Sequence, residues 1–87
     1  MSHLGGDLDQ LAALKATFAQ QSQAIQQVAD AVRVQLEQTH WHGPAAERFR
    51  AAWAGEFEPT LRRLHAAFEE GGVEVARRRE ALQRAGG

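Results

Sequence analysis

The stretch THWHGPAAERFRAAW, residues 39–53, contains the one obvious break in a chain that otherwise shows helical patterning. Gly43 precedes a proline, which biases its backbone away from helical angles. Pro44 suits the first position of a new helix, because the N–H that it lacks has no intrahelical partner there. Since a connection this short favours antiparallel neighbours, we predict an all-α helical hairpin with its turn at residues 40–43.

An apolar heptad pattern precedes the turn. Every seventh residue forms one row, and further apolar residues stand three positions beyond it. The row consists of Leu11, Phe18, Ile25 and Val32, and the flanking residues are Leu14 and Val28. Because no glycine or proline interrupts residues 7–39, we predict one helix of about 30 residues over this range.

The pattern resumes after the turn, over residues 44–85. Its large apolar residues follow one another at steps of three, four or seven: Phe49, Trp53, Phe57, Leu61, Leu64, Phe68 and Val75. Pro59 lacks a backbone donor and crowds the carbonyl of Gly55, so we predict a kink near residues 55–59. Gly71 falls on the apolar stripe, where the missing side chain would let another helix come close.

The apolar stripes are too wide for one pair of helices to bury. With 87 residues and no cysteine, the chain is predicted to be a single small domain, residues 1–87, without disulfides. Two antiparallel helices bury one seam between them, which leaves part of each stripe in water. We therefore expect two hairpins to pair into a four-helix bundle, with the apolar residues of both stripes at the hairpin and dimer interfaces.

Trp41 raises a separate question, because a large aromatic side chain in a turn needs an apolar surface to cover it. One interpretation is that Trp41 caps the core of its own chain, against Phe49 or Val32. The other is that it forms part of a composite surface with a second chain. The sequence does not decide between the two, and they are compatible.

The Trp-x-Gly motif at residues 41–43, in the turn of a cysteine-free helical hairpin of this length, resembles the WXG family of early-secreted-antigen-like proteins. After the turn, positions that are often aromatic or apolar in that family hold Phe49, Trp53, Leu61, Leu64 and Phe68. The segment EEGG, residues 69–72, falls where the family often has a glycine. The resemblance covers nearly the whole chain.

The resemblance implies a function in type VII secretion. Members of the family form homodimers or heterodimers that are four-helix bundles, and they are exported folded, without a cleaved signal peptide. A membrane-associated secretion ATPase reads two elements, the turn motif of one chain and a Tyr-x-x-x-Asp/Glu signal after the second helix of the other. Trp41 and Gly43 are therefore the predicted export residues. The start of the chain, MSHLGGDLDQ, lacks the basic and apolar regions of a signal peptide, as this export route implies.

The chain departs from the family pattern because it has no tyrosine. The nearest match to the C-terminal signal runs from Ala76 to Glu80, which keeps the acid and loses the aromatic residue. We therefore expect this chain to be the signal-less member of a heterodimer, with a second WXG-type hairpin as its partner and a secretion ATPase as its receptor. A homodimer is the alternative, and it would leave the route of export open.

Other chemistry has less support in the sequence. His40, His42 and His65 suggest imidazole ligands, but two residues in a turn do not close a metal site, so we expect no metal and no cofactor. We expect no Ser–His–acid arrangement around Ser22, and hence no enzyme. The polar face of the first helix is rich in glutamine and nearly uncharged, which fits a membrane-surface helix poorly. Whether a membrane is ever a target stays open.

The alternative function is a cytoplasmic regulatory or structural helical bundle that contacts nucleic acid. Its binding surface would be the C-terminal cluster Arg77, Arg78, Arg79 and Arg84. The net charge of −1 gives no overall attraction to nucleic acid. Glutamates three or four residues away, such as Glu74 and Glu80, favour ion pairs within the helix. We therefore expect no nucleic-acid partner and favour the secretion function.

Overall fold

The computed structural model describes the backbone of residues 3–86 and the side chains of residues 7–86. The elements, in order, are helix α1 (His3–Gln38), helix α2 (Pro44–Ala52), a π-helical turn (Trp53–Phe57) and helix α3 (Glu58–Gly86). Helices α1 and α3 run side by side in opposite directions, so that Leu8 meets Arg79 and Ser22 meets His65. The described residues contain no strand, and the predicted all-α helical hairpin is confirmed.

The first helix begins earlier than the sequence suggests. We predicted a start near residue 7, after two glycines, whereas α1 begins at His3 and ends at Gln38. A glycine costs about 1 kcal/mol relative to alanine in a helix, which lowers the propensity without preventing the backbone hydrogen bonds. The two glycines therefore lie inside α1.

Residues 39–43 form the turn between α1 and α2. The Trp41 N–H donates to the carbonyl of Thr39 over 3.0 Å, and the Glu47 N–H donates to the carbonyl of Gly43 over 3.0 Å. Gly43 has φ 109° and ψ 174°, a backbone conformation that is strained for any residue with a Cβ. A Cβ built at Gly43 would meet no atom within 4 Å, so the backbone conformation alone accounts for the glycine.

The second arm of the hairpin contains a π-helical turn, Trp53–Phe57, beside the predicted kink at residues 55–59. The Glu58 N–H donates to the carbonyl of Trp53, five residues back. Pro59 offers no N–H to the carbonyl four residues before it, and in a regular α-helix its ring would crowd that oxygen. The wider π-helical turn accommodates both effects of the proline.

The π-helical turn also keeps one apolar row of the second arm against α1. Residues of this row stand seven apart on either side of the turn, but Leu61 follows Trp53 by eight. Because a π-helical hydrogen bond spans one residue more than an α-helical one, the turn absorbs the extra residue. The whole row is therefore buried or half-buried: Ala46, Trp53, Leu61, Phe68, Val75 and Leu82.

Helices α1 and α3 come close at Phe18 and Gly71. A Cβ built on Gly71 would lie 3.0 Å from Cε2 of Phe18, which is closer than ordinary van der Waals contact. The Phe18 ring also packs on Phe68, with ring centroids 5.6 Å apart and planes tilted by 44°. The close approach predicted at Gly71 is confirmed.

The core of the hairpin is thin. The molecule measures 64 × 17 × 14 Å along its principal axes, so it is a rod about two helices wide. Among the described side chains, the buried apolar residues are Ala29, Ala46 and Trp53, and no large side chain is fully buried. Most of the apolar stripe is therefore covered only in part by the hairpin itself.

Candidate functional site: the turn and the apolar face

The predicted interface residues divide into two groups in the structure. One group is buried or half-buried between the arms: Leu11, Phe18, Ile25, Val32, Trp53, Leu61, Phe68 and Val75. The other group, with exposed fractions of 38–51%, consists of Val28, Phe49, Phe57 and Leu64. Leu14 and Trp41 are exposed to a similar extent, at 42% and 39%. The hairpin thus covers the first group and leaves the second open.

Three exposed aromatic rings form a ladder that starts in the turn. The ring centroids of Trp41 and Phe49 are 6.1 Å apart, and those of Phe49 and Phe57 are also 6.1 Å apart. Both pairs are tilted by 48°, an arrangement in which aromatic contacts are favourable. Leu64 follows Phe57 by seven residues and continues the row into α3. Trp41 thus contacts Phe49, as the first interpretation expects, and keeps an open surface.

The exposed apolar residues of α1 lie on the same side of the hairpin as the aromatic ladder. Leu14 and Val28 occupy one heptad row, and Gln35 continues it. Gln35 borders an open groove of about 380 Å³ together with Val32 and Trp41, which joins the row to the turn. We call this surface the apolar face and define it as Leu14, Val28, Trp41, Phe49, Phe57 and Leu64.

The opposite side, which we call the polar face, differs in composition. A groove of about 680 Å³ runs between the helices there. Its charged and polar residues include Lys15, Ser22, Gln23, His65, Glu69 and Arg77, and its other residues are Ala19, Phe68, Gly72, Val73 and Ala76. Among the described side chains, Val73 is the only exposed large apolar residue that borders this groove. The two sides of the rod therefore offer different surfaces to a partner.

Arg50 holds the turn in place, and the sequence analysis missed it. Its guanidinium group donates to the carbonyls of Leu36 at 3.0 Å, Thr39 at 3.1 Å and Trp41 at 2.5 Å. Carbonyls at a helix C-terminus lack intrahelical donors and carry partial negative charge, so a cation suits them. The guanidinium carbon also lies 5.8 Å from the centroid of the Trp41 ring, in cation–π contact. A pattern of apolar residues gives no signal for such a contact.

The structure brings Ser22, His65 and Glu69 together, so the expectation of no Ser–His–acid arrangement was wrong. Nδ1 of His65 lies 2.8 Å from Oγ of Ser22, and Nε2 lies 3.4 Å from the carboxylate of Glu69. Ser22 and His65 are 43 positions apart and meet only because the hairpin places their helices side by side. The sequence does not show that register.

The Ser22 arrangement suits the joining of two helices better than nucleophilic attack. Ser22 borders the groove of the polar face but is only 3% exposed, so little of the residue is open to a substrate. Nδ1 of His65 also lies 2.9 Å from the Ser22 carbonyl, to which it donates when it carries the proton. The backbone N–H groups around Ser22 are used within α1, which leaves no donors for an oxyanion.

Trp53 is the largest buried side chain of the hairpin, with 8% of its surface exposed. Within the described part of the chain, its indole N–H has no acceptor. A buried donor without a partner costs about 1–3 kcal/mol. The contribution of Trp53 to stability therefore comes from the packing of its ring.

The C-terminal arginines make contacts within the hairpin. Arg77 pairs with Glu74 at 2.8 Å and Arg84 pairs with Glu80 at 4.0 Å, as the sequence predicts. Nε of Arg79 donates to the carbonyl of Leu8 over 3.1 Å. Three of the four arginines of the predicted cluster thus have partners within the hairpin, while Arg78 borders an open groove beside Leu14. The arrangement gives little support to binding of nucleic-acid phosphates.

Ala76 and Glu80, which we predicted to be a degenerate export signal, lie inside α3, which extends to Gly86. Ala76 is half-buried and Glu80 is exposed, and both border the groove of the polar face. The structure therefore places these two residues on the opposite side of the rod from the aromatic ladder.

The turn histidines, His40 and His42, lie with their ring centroids 6.1 Å apart in an edge-to-face arrangement. Over the described residues, no three side chains of the types that bind metals come together. In the same part of the chain, no helix is both long enough and apolar enough to cross a membrane.

The resemblance to the WXG family rests on the turn motif and on the pattern of the two arms. Neither the protein-family models, nor the curated proteins, nor the solved structures that were compared with the chain give a match. The apolar face and the turn are therefore the features of the hairpin that bear on its function.

Proposed function

We propose that this protein is a WXG-type hairpin of a type VII secretion system whose apolar face binds a second hairpin chain. The observation that carries the proposal is the exposed ladder of Trp41, Phe49 and Phe57, which begins in the Trp-x-Gly turn. Large contiguous apolar patches on a soluble chain usually mark an interaction surface. A surface of this shape fits another helical hairpin laid along the rod.

A second chain would supply the burial that the hairpin lacks. Full burial of a Phe or Leu side chain contributes about 1.5–3 kcal/mol relative to full exposure. The residues of the apolar face are exposed by 38–51%, so covering each one contributes on the order of 1 kcal/mol. Six such residues add several kcal/mol, which is a large fraction of the stability of a small domain. A four-helix bundle is the expected result.

The turn supplies the export motif in this proposal. Arg50 bonds the turn carbonyls and packs on the ring of Trp41, while Gly43 provides the backbone angle that the turn requires. Trp41 and Gly43 are thus presented in one geometry at the end of the rod. The secretion ATPase would read them together with the Tyr-x-x-x-Asp/Glu signal of the partner.

The chain acts in this proposal as the signal-less member of a heterodimer. It has no tyrosine, and its nearest match to the signal, Ala76 and Glu80, lies within α3. The dimer would fold before export and leave the cell without a cleaved signal peptide. The work of the protein is then dimerisation and presentation of the turn, with no catalytic step.

Trp41→Ala tests this proposal. Export is measured as the share of the chain found in the culture medium, and dimer formation is measured by size-exclusion chromatography with light scattering. We expect export to fall strongly while the dimer persists, because Trp41 lies at the end of the rod and contributes one of six contacts. His42→Ala is the matched control, since it changes the turn outside the motif and should leave export unchanged.

Two results would contradict the proposal. Unchanged export of the Trp41→Ala variant would mean that the turn motif is not read. Equal loss of export and of the dimer would mean that Trp41 acts as a core residue and not as an export residue.

A further inference from the structure

Apolar residues and glutamines alternate along the exposed row of α1. At seven-residue steps the helix presents Leu14, Gln21, Val28 and Gln35, all of them exposed. Equal steps of this size place the four side chains on one line along the helix. Among the described residues, the α1 glutamine whose side chain makes a hydrogen bond is Gln26, so Gln21 and Gln35 have free donors and acceptors.

The same side of α1 is uncharged over most of its length. The residues that border the row on its outer side, three positions further on, are Thr17, Ala24, Ala31 and Gln38. The row begins with a charge, because Asp7 stands seven positions before Leu14 and both border a groove with Arg78 of α3. Beyond Leu14 the charged residues of α1 point elsewhere: Lys15 borders the groove of the polar face, and Arg33 bonds Asp30 and Glu37 on its own helix. Between Leu14 and Gln35, a helix laid along this row therefore meets no charge from α1.

We propose that Gln21 and Gln35 are the specificity-determining residues of the apolar face. The occupant is a second helical hairpin with an uncharged facing surface. It presents apolar side chains opposite Leu14 and Val28, and carboxamide or hydroxyl side chains opposite the two glutamines. This inference rests on the proposed function, because it requires a second hairpin on the apolar face.

The absence of charge on α1 between Leu14 and Gln35 determines the chemistry of the occupant there. A charged residue pressed against this part of the row would lose its water and find no opposite charge on α1, which is strongly unfavourable. An entirely apolar occupant is also disfavoured, because it would bury two carboxamides without partners. A carboxamide or hydroxyl group in the same layer satisfies a glutamine, since it offers both a donor and an acceptor.

The alternation also fixes the register of the two chains. A slip of one heptad would bring each glutamine onto a layer that the partner has made apolar, and each apolar residue onto a polar layer. A slip of two heptads restores the match but removes half of the row from the contact. The matched register is therefore favoured because it pairs like layers and because it keeps the full length of the contact. Partners with a different order of layers are excluded.

The test removes the glutamines from the full chain and measures self-association by sedimentation equilibrium. We expect the double variant Gln21→Leu/Gln35→Leu to associate with itself at least about tenfold more tightly than the wild type, because its row is apolar throughout. It should also give a mixture of oligomers. The matched control is Gln20→Leu/Gln27→Leu, which changes two exposed glutamines on another side of α1 and should behave as the wild type does.

Equal self-association of the two double variants would overturn the proposal. Adding Phe57→Asp to the first double variant should abolish the gain, and persistence of the gain would place the glutamines on another surface, which also overturns it. Phe57→Asp alone distinguishes failure of the proposed function from failure of the role assigned to Gln21 and Gln35. A heterodimer that survives this single change contradicts the proposed function. Loss of the heterodimer, with no effect of the glutamines on self-association, contradicts only the present inference.

Discussion

The apolar row of α1 consists of Leu11, Phe18, Ile25 and Val32, and the residues on its two flanks differ in how far they are buried. Four positions beyond members of the row stand Ser22 and Ala29, which are 3% and 5% exposed against the second arm. Three positions beyond the row stand Leu14 and Val28, which are 42% and 51% exposed. The hairpin thus buries the small residues of one flank and leaves large apolar residues of the other flank exposed. This difference supports the proposal that the exposed residues pack against another chain.

Close approach of the two arms explains why the small flank is the inner one. Phe18 packs against a glycine of α3, at a distance where a Cβ would make a tighter contact than is usual. Ser22 and His65 bond each other across the same seam at 2.8 Å. Small side chains in the middle of this flank let the helix backbones come near, and the half-buried Leu8 and Leu36 occupy the same flank toward its two ends. The inner flank therefore joins the arms, and the outer flank is free for a partner.

Phe18→Asp should have the largest effect, because it breaks the inner seam. The carboxylate would face Gly71 and Phe68 without an opposite charge, and we expect a loss of at least about 3 kcal/mol in the free energy of unfolding. Circular dichroism should show loss of most helical signal at room temperature. Ala16→Asp, at an exposed position of the same helix, is the control and should keep the signal. A Phe18→Asp variant that melts like the wild type would contradict the packing of Phe18 between the two arms.

Phe57→Asp should separate the outer face from the inner seam. It places a charge in the aromatic ladder, where a partner would bury it, so the dimer should dissociate while the chain keeps its helical signal. Val73→Asp is the matched control, because Val73 is 50% exposed and borders the groove of the polar face. Light scattering should show a monomer for the first variant and a dimer for the second. A dimer for Phe57→Asp and a monomer for Val73→Asp would assign the interface to the polar face.

Gly71→Ala and Gly72→Ala should change stability in opposite directions. A Cβ at Gly71 would lie 3.0 Å from Phe18, so overpacking should cost about 1–2 kcal/mol despite the gain in helix propensity. A Cβ at Gly72 would lie 3.9 Å from Phe18, an ordinary contact, so this variant should gain about 1 kcal/mol. Urea unfolding measures both. A higher free energy of unfolding in both variants would mean that Phe18 can move aside for a Cβ at position 71.

Trp53→Phe should have the smallest effect. The change shrinks a buried ring but also removes an indole N–H that has no acceptor among the described residues. The two terms oppose each other, so we expect the free energy of unfolding to change by no more than about 1 kcal/mol. Trp53→Ala removes the ring itself and should cost about 3–5 kcal/mol in the same urea titration. A large loss in Trp53→Phe would mean that the N–H has a partner.

Much of the fold was predictable from the sequence. Gly43 followed by Pro44 marks the turn, because the residue before a proline is biased away from helical angles and a proline suits the first position of a helix. The seven-residue rows identify both helices, since no other regular structure has that period. The close contact at Gly71 was also predictable, because a glycine on an apolar stripe leaves space for a neighbour.

The parts that were not predictable depend on contacts between distant residues. The bond from Ser22 to His65 requires the register of the arms, which the apolar pattern leaves undetermined. Arg50 bonds three carbonyls in and before the turn, and no local pattern marks an arginine for that task. The eight-residue step from Trp53 to Leu61 is compatible with the π-helical turn. A simple kink at Pro59 is equally compatible with this stretch of sequence, so the sequence does not predict the π-helical turn.

Carbene footprinting of the assembled protein is the first experiment to perform, because it shows whether a second chain covers the apolar face. Labelling of Phe57 and Val73 would be compared between the assembled complex and a dilute monomer. Phe57 is 41% exposed and Val73 is 50% exposed in the isolated hairpin, so both should be labelled in the monomer. If a second hairpin lies on the apolar face, assembly should protect Phe57 and leave Val73 labelled. Protection of Val73 with Phe57 still labelled, or no protection of either residue, would contradict it.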